Sequence, residues 1–179
     1  MDFDLNWLLS TNYTQPKNFL ILFIILLAGI FLRYLVLAWI YHEAVYKKLG
    51  EKMPFRRLHE QIKLPQVKTE IWYSFLGAII FAVAGAVMLI FWQKGISQLY
   101  TALTWWDLLW IPLSYFAALF IHETYYYWLH RWMHQPKVIR HFHHIHHNSL
   151  YTSSFTSFSF HPIEAGLQAI FLPALVLLL

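Results

Sequence analysis

Histidines are concentrated in the last third of this 179-residue chain, which holds nine of the 11. Two groups among them have the spacing that imidazole ligands need to converge on a metal. His130 and His134 are four residues apart, so on a helix they lie on one face, one turn apart. His143, His146 and His147 repeat this spacing, with offsets of three and four residues. These five residues are the predicted metal ligands.

The other histidines of this region have weaker positions. On a helix, His141 would point nearly opposite to the second group, and His144 would lie at its edge. His122 precedes His130 by eight residues, or about 12 Å along a helix axis, which is too far to share one metal. Nearby carboxylates are suited to accept hydrogen bonds from ligand imidazoles. We therefore expect a supporting role or additional ligation from five further residues: His122, His144, His161, Glu123 and Glu164.

The type and number of these residues limit the metal site. Five imidazoles exceed the four ligands of a tetrahedral zinc ion, so two metals, or one octahedral metal with spare ligands, are indicated. Imidazole binds iron, zinc, copper and nickel, so ligand type does not choose among them. The chain has no cysteine, which excludes Cys-type zinc sites and iron–sulfur clusters. No Glu-x-x-His pair occurs, so the ferritin-like way of holding two irons is excluded, and no catalytic residue follows from the spacing.

The composition predicts that the helices positioning these residues belong to a membrane protein. Hydrophobic residues make up 59% of the chain, and the mean hydropathy is +0.45, well above a soluble average. Residues 19–41 and 71–92 are each long enough to cross a hydrocarbon core of about 30 Å. A third apolar run leads into His122, and a fourth follows Pro162. We expect an all-α fold, an integral membrane bundle of three to four transmembrane helices with a histidine-rich helical cap.

Basic residues predict the orientation of this bundle. Residues 42–70, between the first two spans, hold seven Lys or Arg and four Glu. Short loops rich in Lys and Arg stay in the cytoplasm, so the histidine-rich cap is expected on the cytosolic face. The net charge of +4 belongs to this pattern and does not indicate nucleic acid. Arg33, the one charge in the first span, is expected to snorkel or to pair with a carboxylate or a lipid phosphate, and a structural role is favoured.

The chain divides into four parts on this interpretation. We expect an extramembrane N-terminus over residues 1–18, transmembrane helices over 19–121, a metal-binding region over 122–164 and the start of a further transmembrane helix over 165–179. Residues 149–160 alternate small hydroxyl side chains with aromatic ones and contain few helix-favouring residues. A loop or an extended lid is predicted there.

The histidine blocks resemble those of the fatty acid hydroxylase and sterol desaturase superfamily of integral membrane non-haem di-iron oxygenases, sterol C-5 desaturases included. The pattern is His-Glu-x-x-x-Tyr-Trp-x-His-Arg-x-x-His over residues 122–134, His-x-x-His-His over 143–147 and Phe-His-Pro-x-Glu over 160–164. The resemblance implies two iron ions, replaceable by zinc in purified material, and oxidation of a lipid C–H bond with O2. Its implied setting is a multi-pass protein of the bacterial inner membrane or the endoplasmic reticulum.

The resemblance also implies binding partners and a further block of histidine ligands. A lipid substrate would come from the bilayer, and electrons from a ferredoxin or from a b-type cytochrome with its reductase. Members of the superfamily carry another His-x-x-His-His block downstream, after a hydrophobic hairpin, whereas this sequence stops at Leu179. The chain is therefore expected to be a fragment that supplies only part of the ligand set.

Two other classes of protein also cluster histidines. A divalent metal-ion transporter would collect its cargo with them, but transporters place ionisable ligands within their spans. A haem protein with two histidine ligands needs those residues to face each other across spanning helices. The alternative hypothesis is a histidine-rich metal-ion transporter or metal-binding membrane protein.

Overall fold

The computed structural model describes residues 10–49, 63–96, 105–149 and 151–178. Every regular element in these ranges is helical and none is a strand, so the predicted all-α fold is confirmed. The first half of the predicted N-terminal segment and the centre of the basic loop lie outside the described residues, and the expectations for them remain predictions. In chain order the elements are α1 (Pro16–Tyr41), continued by a π-helix (His42–Leu49), α2 (Leu64–Gln93), α3 (Asp107–Met133), α4 (Pro136–Val138), a second π-helix (Ile139–His143), α5 (His144–His147), a 3-10 helix (Ser154–Phe158), α6 (Pro162–Ala169) and α7 (Phe171–Leu178).

Two of the described helices, Pro16–Val45 and Leu64–Gln93, are long and apolar enough to cross a membrane. They correspond to the first two predicted spans. Pro16 and Pro65 lie in the first turn of α1 and α2, where the missing N–H has no helical partner to lose. No other helix of the described ranges meets the same length and hydropathy criteria, so a third or fourth span stays a prediction.

The two candidate spans pack through small residues. Ala78, Ala82 and Ala86 recur every four residues on one face of α2 and are completely buried. Gly85 belongs to the same face, and a Cβ atom built on it would lie 3.4 Å from Leu26 Cδ1 of α1. Small residues let the helix backbones approach closely, which is how packed membrane helices gain dispersion contacts.

Helix α3 connects the third apolar run to the first histidine pair. It is continuous from Asp107 to Met133, with Pro112 inside it. Met133 is buried, whereas the other positions of α3, all of them described, are partly or fully exposed. The helix ends because Gln135 precedes Pro136 and takes an extended conformation, with φ −63° and ψ 141°. The predicted helix break at this dipeptide is confirmed.

The serine-rich segment 149–160 differs from the predicted loop or lid. Its centre forms the 3-10 helix, which packs against α1 and α2. Ser153 caps this helix: its hydroxyl accepts the Phe155 N–H at 3.0 Å, and its own N–H donates to Thr156 Oγ1 at 2.9 Å. The hydroxyl side chains thus satisfy the backbone at the start of the turn, and the segment folds against the two long helices.

The apolar end of the chain forms two short helices instead of one long one. Helix α6 ends at Ala169, and α7 begins at Phe171. Pro173 accounts for the interruption, because it has no N–H for the carbonyl of Ala169 and its ring would clash with that carbonyl in a regular helix. The start of a further span, expected over residues 165–179, stays a prediction.

Candidate metal centre

Four imidazoles from two segments of the chain converge at the end of α3. The Nε2 atoms of His130 and His134 lie 2.9 Å apart. Those of His143 and His147, from the second π-helix and α5, lie 3.2 Å apart. The ring centroid of His134 is 4.9 Å from the rings of both His143 and His147. We call these four residues the imidazole cluster.

The helix break at Pro136 produces this convergence. Because α4 starts immediately after α3 ends, the chain turns back and brings His143 within 4.9 Å of His130, measured between ring centroids. One candidate ligand atom from each of His130, His134 and His143 lies within 4.8 Å of the others. Local helix geometry therefore supplies each pair, and the turn between α3 and α4 brings the two pairs together.

The buried core of the cluster is a contact between His143 and Glu164. Both side chains are almost completely inaccessible, and His143 Nδ1 lies 3.0 Å from Glu164 Oε2, although the atoms are not aligned for a good hydrogen bond. Burial, with the neighbouring imidazoles, lowers the pKa of His143 to about 4, and burial raises the pKa of Glu164 to about 8. The imidazole is therefore neutral at pH 7, the form that binds metal.

Two other members of the cluster are shifted in the same direction. Burial and nearby imidazoles lower the pKa of His130 and of His147 below the ordinary value of 6.5. A cluster of imidazoles cannot hold many protons, since each charge disfavours the next. The lowered pKa values of His130, His143 and His147 favour unprotonated nitrogen atoms, which suit a cation.

His146, the fifth predicted ligand, lies at the edge of the cluster. Its ring centroid is 6.0 Å from that of His143 and 5.9 Å from that of His147. Its Nδ1 is 3.4 Å from the carbonyl oxygen of Ser159, and its ring packs on Phe160 at 5.3 Å. A proton on Nδ1 would be donated to that carbonyl and leave Nε2 free, so ligation by His146 stays a prediction.

The histidines given supporting roles lie in different environments. His122 stacks on Tyr126 at 6.1 Å, which in turn stacks on His130 at 6.1 Å, so it continues the column of rings along α3 without joining the cluster. His161 caps α6, its Nδ1 accepting the Ile163 N–H at 3.2 Å. His144 lines a neighbouring cavity of about 430 Å³.

The two glutamates also differ. Glu164 Oε2 lies 3.0 Å from His143 Nδ1, and its predicted supporting role stays a prediction. Glu123 is exposed and lies 3.2 Å from the Nδ1 of its neighbour His122. Among the described residues, Glu123 forms no ion pair with a member of the imidazole cluster.

Glu70 is a functional candidate that the sequence did not identify. It was grouped with the basic loop, yet it lies in α2 and is only 2% exposed. Its carboxylate accepts hydrogen bonds from Ser153 Oγ at 2.6 Å, Thr156 Oγ1 at 2.9 Å and Gln66 Nε2 at 2.8 Å. The sequence feature that could have identified Glu70 is its position as an acidic residue directly before the apolar span of residues 71–92. Glu70 fastens the 3-10 helix whose next residue, Ser159, contacts His146.

Comparison with known proteins identifies the relatives of this site. Residues 115–179, which contain all five predicted ligands, match the family model described as fatty acid hydroxylase. The Delta(7)-sterol 5(6)-desaturase of Leptosphaeria maculans is 32% identical over 142 residues, covering 76% of this chain and 37% of that protein. The chain belongs to the fatty acid hydroxylase and sterol desaturase superfamily.

Other members of the superfamily show the same relation. The Delta(7)-sterol 5(6)-desaturase of Eremothecium gossypii is 32% identical over 165 residues, 89% of this chain and 44% of that protein. The lathosterol oxidase of Rattus norvegicus is 28% identical over 114 residues, 63% of this chain and 38% of that protein. The chain spans less than half the length of these curated relatives. No solved structure gives a significant match.

Proposed function

We propose that this chain forms part of a membrane-bound di-iron oxygenase that hydroxylates or desaturates a C–H bond of a sterol-type or fatty acyl lipid, using O2 and external electrons. The observation that carries this proposal is the convergence of four imidazoles in a member of the superfamily. The curated relatives are sterol desaturases and a lathosterol oxidase, which supports the lipid class. A transporter is less well supported, because the cluster lies at the end of α3 and not within a candidate span.

The donor set of the cluster fits iron. It offers imidazole nitrogens, which suit iron, and together with His146 the proposed ligands outnumber the four that one tetrahedral ion requires. His130 Nδ1 is buried without a hydrogen-bond partner in the described part of the chain, whereas its Nε2 faces His134 Nε2 at 2.9 Å. The proposed ligands are His130, His134, His143, His146 and His147, for two ions in the complete site. Bound iron would supply activation of O2, which amino acid side chains cannot perform.

The residues around the proposed ligands prepare them for metal. Glu164 Oε2 lies 3.0 Å from His143 Nδ1, so its carboxyl group would help to hold this ring with Nε2 toward the cluster. Burial keeps water from His143, and the low pKa that results keeps the ring neutral. These contacts hold the ligand nitrogen in place before a metal arrives, which lowers the cost of binding.

The membrane setting and the electron source are part of the proposal. Two candidate spans and an apolar C-terminal pair of helices support a multi-pass protein whose lipid substrate enters from the bilayer. Exposed Lys137 and Arg140, beside the second histidine group, favour a cytosolic site and suit an acidic electron-transfer protein such as a ferredoxin or a b-type cytochrome.

Metal content and lipid oxidation test the proposal. The full-length protein, produced with ample iron, is expected to retain iron and to oxidise membrane lipids only when O2 and a reductant are supplied. His143→Ala should lower the bound iron by about tenfold or more and abolish oxidation, because it removes a buried ligand. Iron is measured by mass spectrometry of digested protein, and oxidised lipids by chromatography.

The neighbouring His141→Ala variant is the matched control, because His141 is exposed and its Nδ1 contacts the backbone carbonyl of Lys137. It should keep both iron and oxidation. Iron-free protein from iron-rich cells, or a His143→Ala variant with wild-type iron, would rule the proposal out. Metal flux through proteoliposomes would instead support the transporter.

A further inference from the structure

A cavity of about 440 Å³ lies between α1 and the 3-10 helix. One part of its wall is polar and another is apolar, and both are formed by the same two elements. The residues that carry the argument are Ile30, Arg33 and Leu37 of α1 and Ser154, Ser157 and Phe158 of the 3-10 helix.

Arg33 brings a positive charge to this cavity without a matching carboxylate. No described Asp or Glu lies within ion-pair distance of its guanidinium, and it lies within the candidate span that begins at Pro16. An unpaired charge at membrane depth is costly, and such residues pair with an anion or reach the interface. The Glu70 carboxylate, which holds the 3-10 helix, does not line this cavity and already accepts hydrogen bonds from three donors.

Ser154 adds a second polar group that lacks a partner. Its side chain is 8% exposed, and its buried Oγ has no hydrogen-bond partner within the described residues. Ser157 Oγ, which also lines the cavity, donates to the Ser154 carbonyl at 3.2 Å. A buried hydroxyl without a partner is costly, and a bound oxyanion beside Arg33 would provide the acceptor.

The apolar wall indicates that the anion carries a hydrocarbon chain. Ile30 and Leu37 lie three residues before and four residues after Arg33, so all three share one face of α1. Phe158 closes the opposite side of the cavity. A free phosphate ion would leave this apolar wall unused, and an uncharged hydroxyl would leave Arg33 unpaired.

We propose that this cavity binds a phospholipid of the bilayer, with its phosphate on Arg33 and Ser154 and its acyl chain along Ile30 and Leu37. The bound lipid contacts the 3-10 helix directly. Because Ser159, the next residue, contacts His146, the lipid supports the segment beside the imidazole cluster without taking part in oxidation. This inference is independent of the proposed reaction.

Lipid binding by the full-length protein in neutral detergent tests the inference. Phosphatidylglycerol and phosphatidylcholine are added separately, and bound lipid is counted by native mass spectrometry. Wild-type protein should bind the anionic lipid more tightly, since phosphatidylcholine brings its own cation to the phosphate. Arg33→Gln should weaken phosphatidylglycerol binding about tenfold or more, and Ser154→Ala about threefold.

Arg131→Gln is the matched control, because Arg131 is an exposed arginine that stacks on Trp128 outside the cavity. It should leave lipid binding unchanged. Equal binding of the two lipids by wild-type protein, or unchanged preference in Arg33→Gln, would overturn the inference. Displacement by millimolar inorganic phosphate, or equal binding of oleate, would overturn the assignment to a phospholipid. If Arg33→Gln fails to fold, two other variants test the inference. Arg33→Lys should still bind phosphatidylglycerol, and Ser154→Ala should bind it about threefold more weakly than wild type.

Discussion

At the scale of single residues, burial shifts the pKa of both His143 and Glu164, the buried pair at the core of the imidazole cluster. Neither side chain reaches solvent, and each group is shifted toward its neutral form. A charged imidazole at position 143 would repel a metal ion and would disfavour a second proton on the adjacent rings of His134 and His147. His143 Nε2 faces His147 Nε2 at 3.2 Å, and we expect the Glu164 carboxyl, 3.0 Å from Nδ1, to help hold the ring in this orientation.

Glu164 should therefore affect metal affinity without being a ligand. In the full-length protein, Glu164→Ala is expected to weaken iron binding about tenfold to 100-fold, because His143 loses the group that orients it. Glu164→Gln, which keeps an oxygen acceptor, should recover part of the loss. Competition with a chelator of known affinity measures the change.

Glu123→Ala is the contrasting variant, because Glu123 is exposed and contacts His122 instead of the cluster. Its iron affinity should stay close to that of the wild type. Equal affinities for Glu164→Ala and the wild type would show that packing alone orients His143.

At the scale of secondary-structure elements, short polar caps and anchors place the segments that surround the cluster. Two residues of the long helices hold the 3-10 helix. Glu70 accepts hydrogen bonds from Ser153 and Thr156, and the Tyr34 hydroxyl donates to the Phe155 carbonyl at 2.9 Å. Helix α6, which carries Glu164, begins at the imidazole cap of His161. Each element is too short to be stable alone, so these contacts decide where it lies.

Loss of the Glu70 carboxylate should release the 3-10 helix. Glu70→Ala leaves three donors, those of Ser153, Thr156 and Gln66, without their acceptor in a buried place. We expect a loss of about 3 kcal/mol in the free energy of unfolding. Thermal unfolding in detergent measures it. Thr69→Ala, which alters the exposed neighbour, should change stability by less than about 0.5 kcal/mol, and a similar small change in Glu70→Ala would contradict the anchoring role.

The His161 cap predicts a dependence of stability on pH. Burial, with nearby His144, lowers the pKa of His161 below 6.5, and the cap needs Nδ1 unprotonated to accept the Ile163 N–H. The unfolded chain then binds more protons than the folded one as pH falls below 6.5, so this stabilisation is present above pH 6.5 and is lost as pH falls through the lower folded pKa.

Replacing His161 with a residue that does not titrate should remove this contribution to the pH dependence of stability. His161→Asn keeps an N-cap oxygen, so it should unfold at nearly the wild-type temperature at pH 7.5 and at a higher temperature than wild type at pH 5. Unfolding temperatures at the two pH values check this. If the variant loses as much unfolding temperature between pH 7.5 and pH 5 as the wild type does, His161 is not the source of the pH dependence.

At the scale of the whole molecule, the two long helices contact the elements that lie beside the imidazole cluster. A Cβ atom at Gly77 of α2 would touch both Phe158 of the 3-10 helix at 3.7 Å and Ala165 of α6 at 3.9 Å. Both elements thus pack against α2 at this point, at ordinary van der Waals distances. The elements beside the imidazole cluster thus pack on one of the two candidate spans, in keeping with the proposed membrane setting.

The predicted orientation can be tested because the chain contains no cysteine. Single Lys94→Cys and Lys137→Cys substitutions place one thiol at each expected side of the membrane, both at exposed positions. Under the proposed topology, a membrane-impermeant maleimide should label Lys137→Cys from the cytosolic side and Lys94→Cys from the opposite side. The cysteine-free parent is the control for background labelling, and labelling of both thiols from one side would contradict the topology.

The sequence by itself determined the features that depend on neighbouring residues. The two histidine pairs, the break at Gln135-Pro136 and the two candidate spans follow from helical periodicity, the conformational limits of proline and apolar length. Each of these is settled within about two helical turns or within one continuous run.

Tertiary structure alone decided the contacts between distant segments. Glu70 accepts hydrogen bonds from Ser153 and Thr156, which are 83 and 86 positions away in the sequence. The sequence grouped Glu70 with the basic loop, whereas in the structure it is buried and holds the 3-10 helix. Arg33, an isolated charge in the sequence, lines a cavity with serines from the far end of the chain. Periodicity assigns a side chain to a face of its own helix, but which element covers that face depends on how all the helices pack.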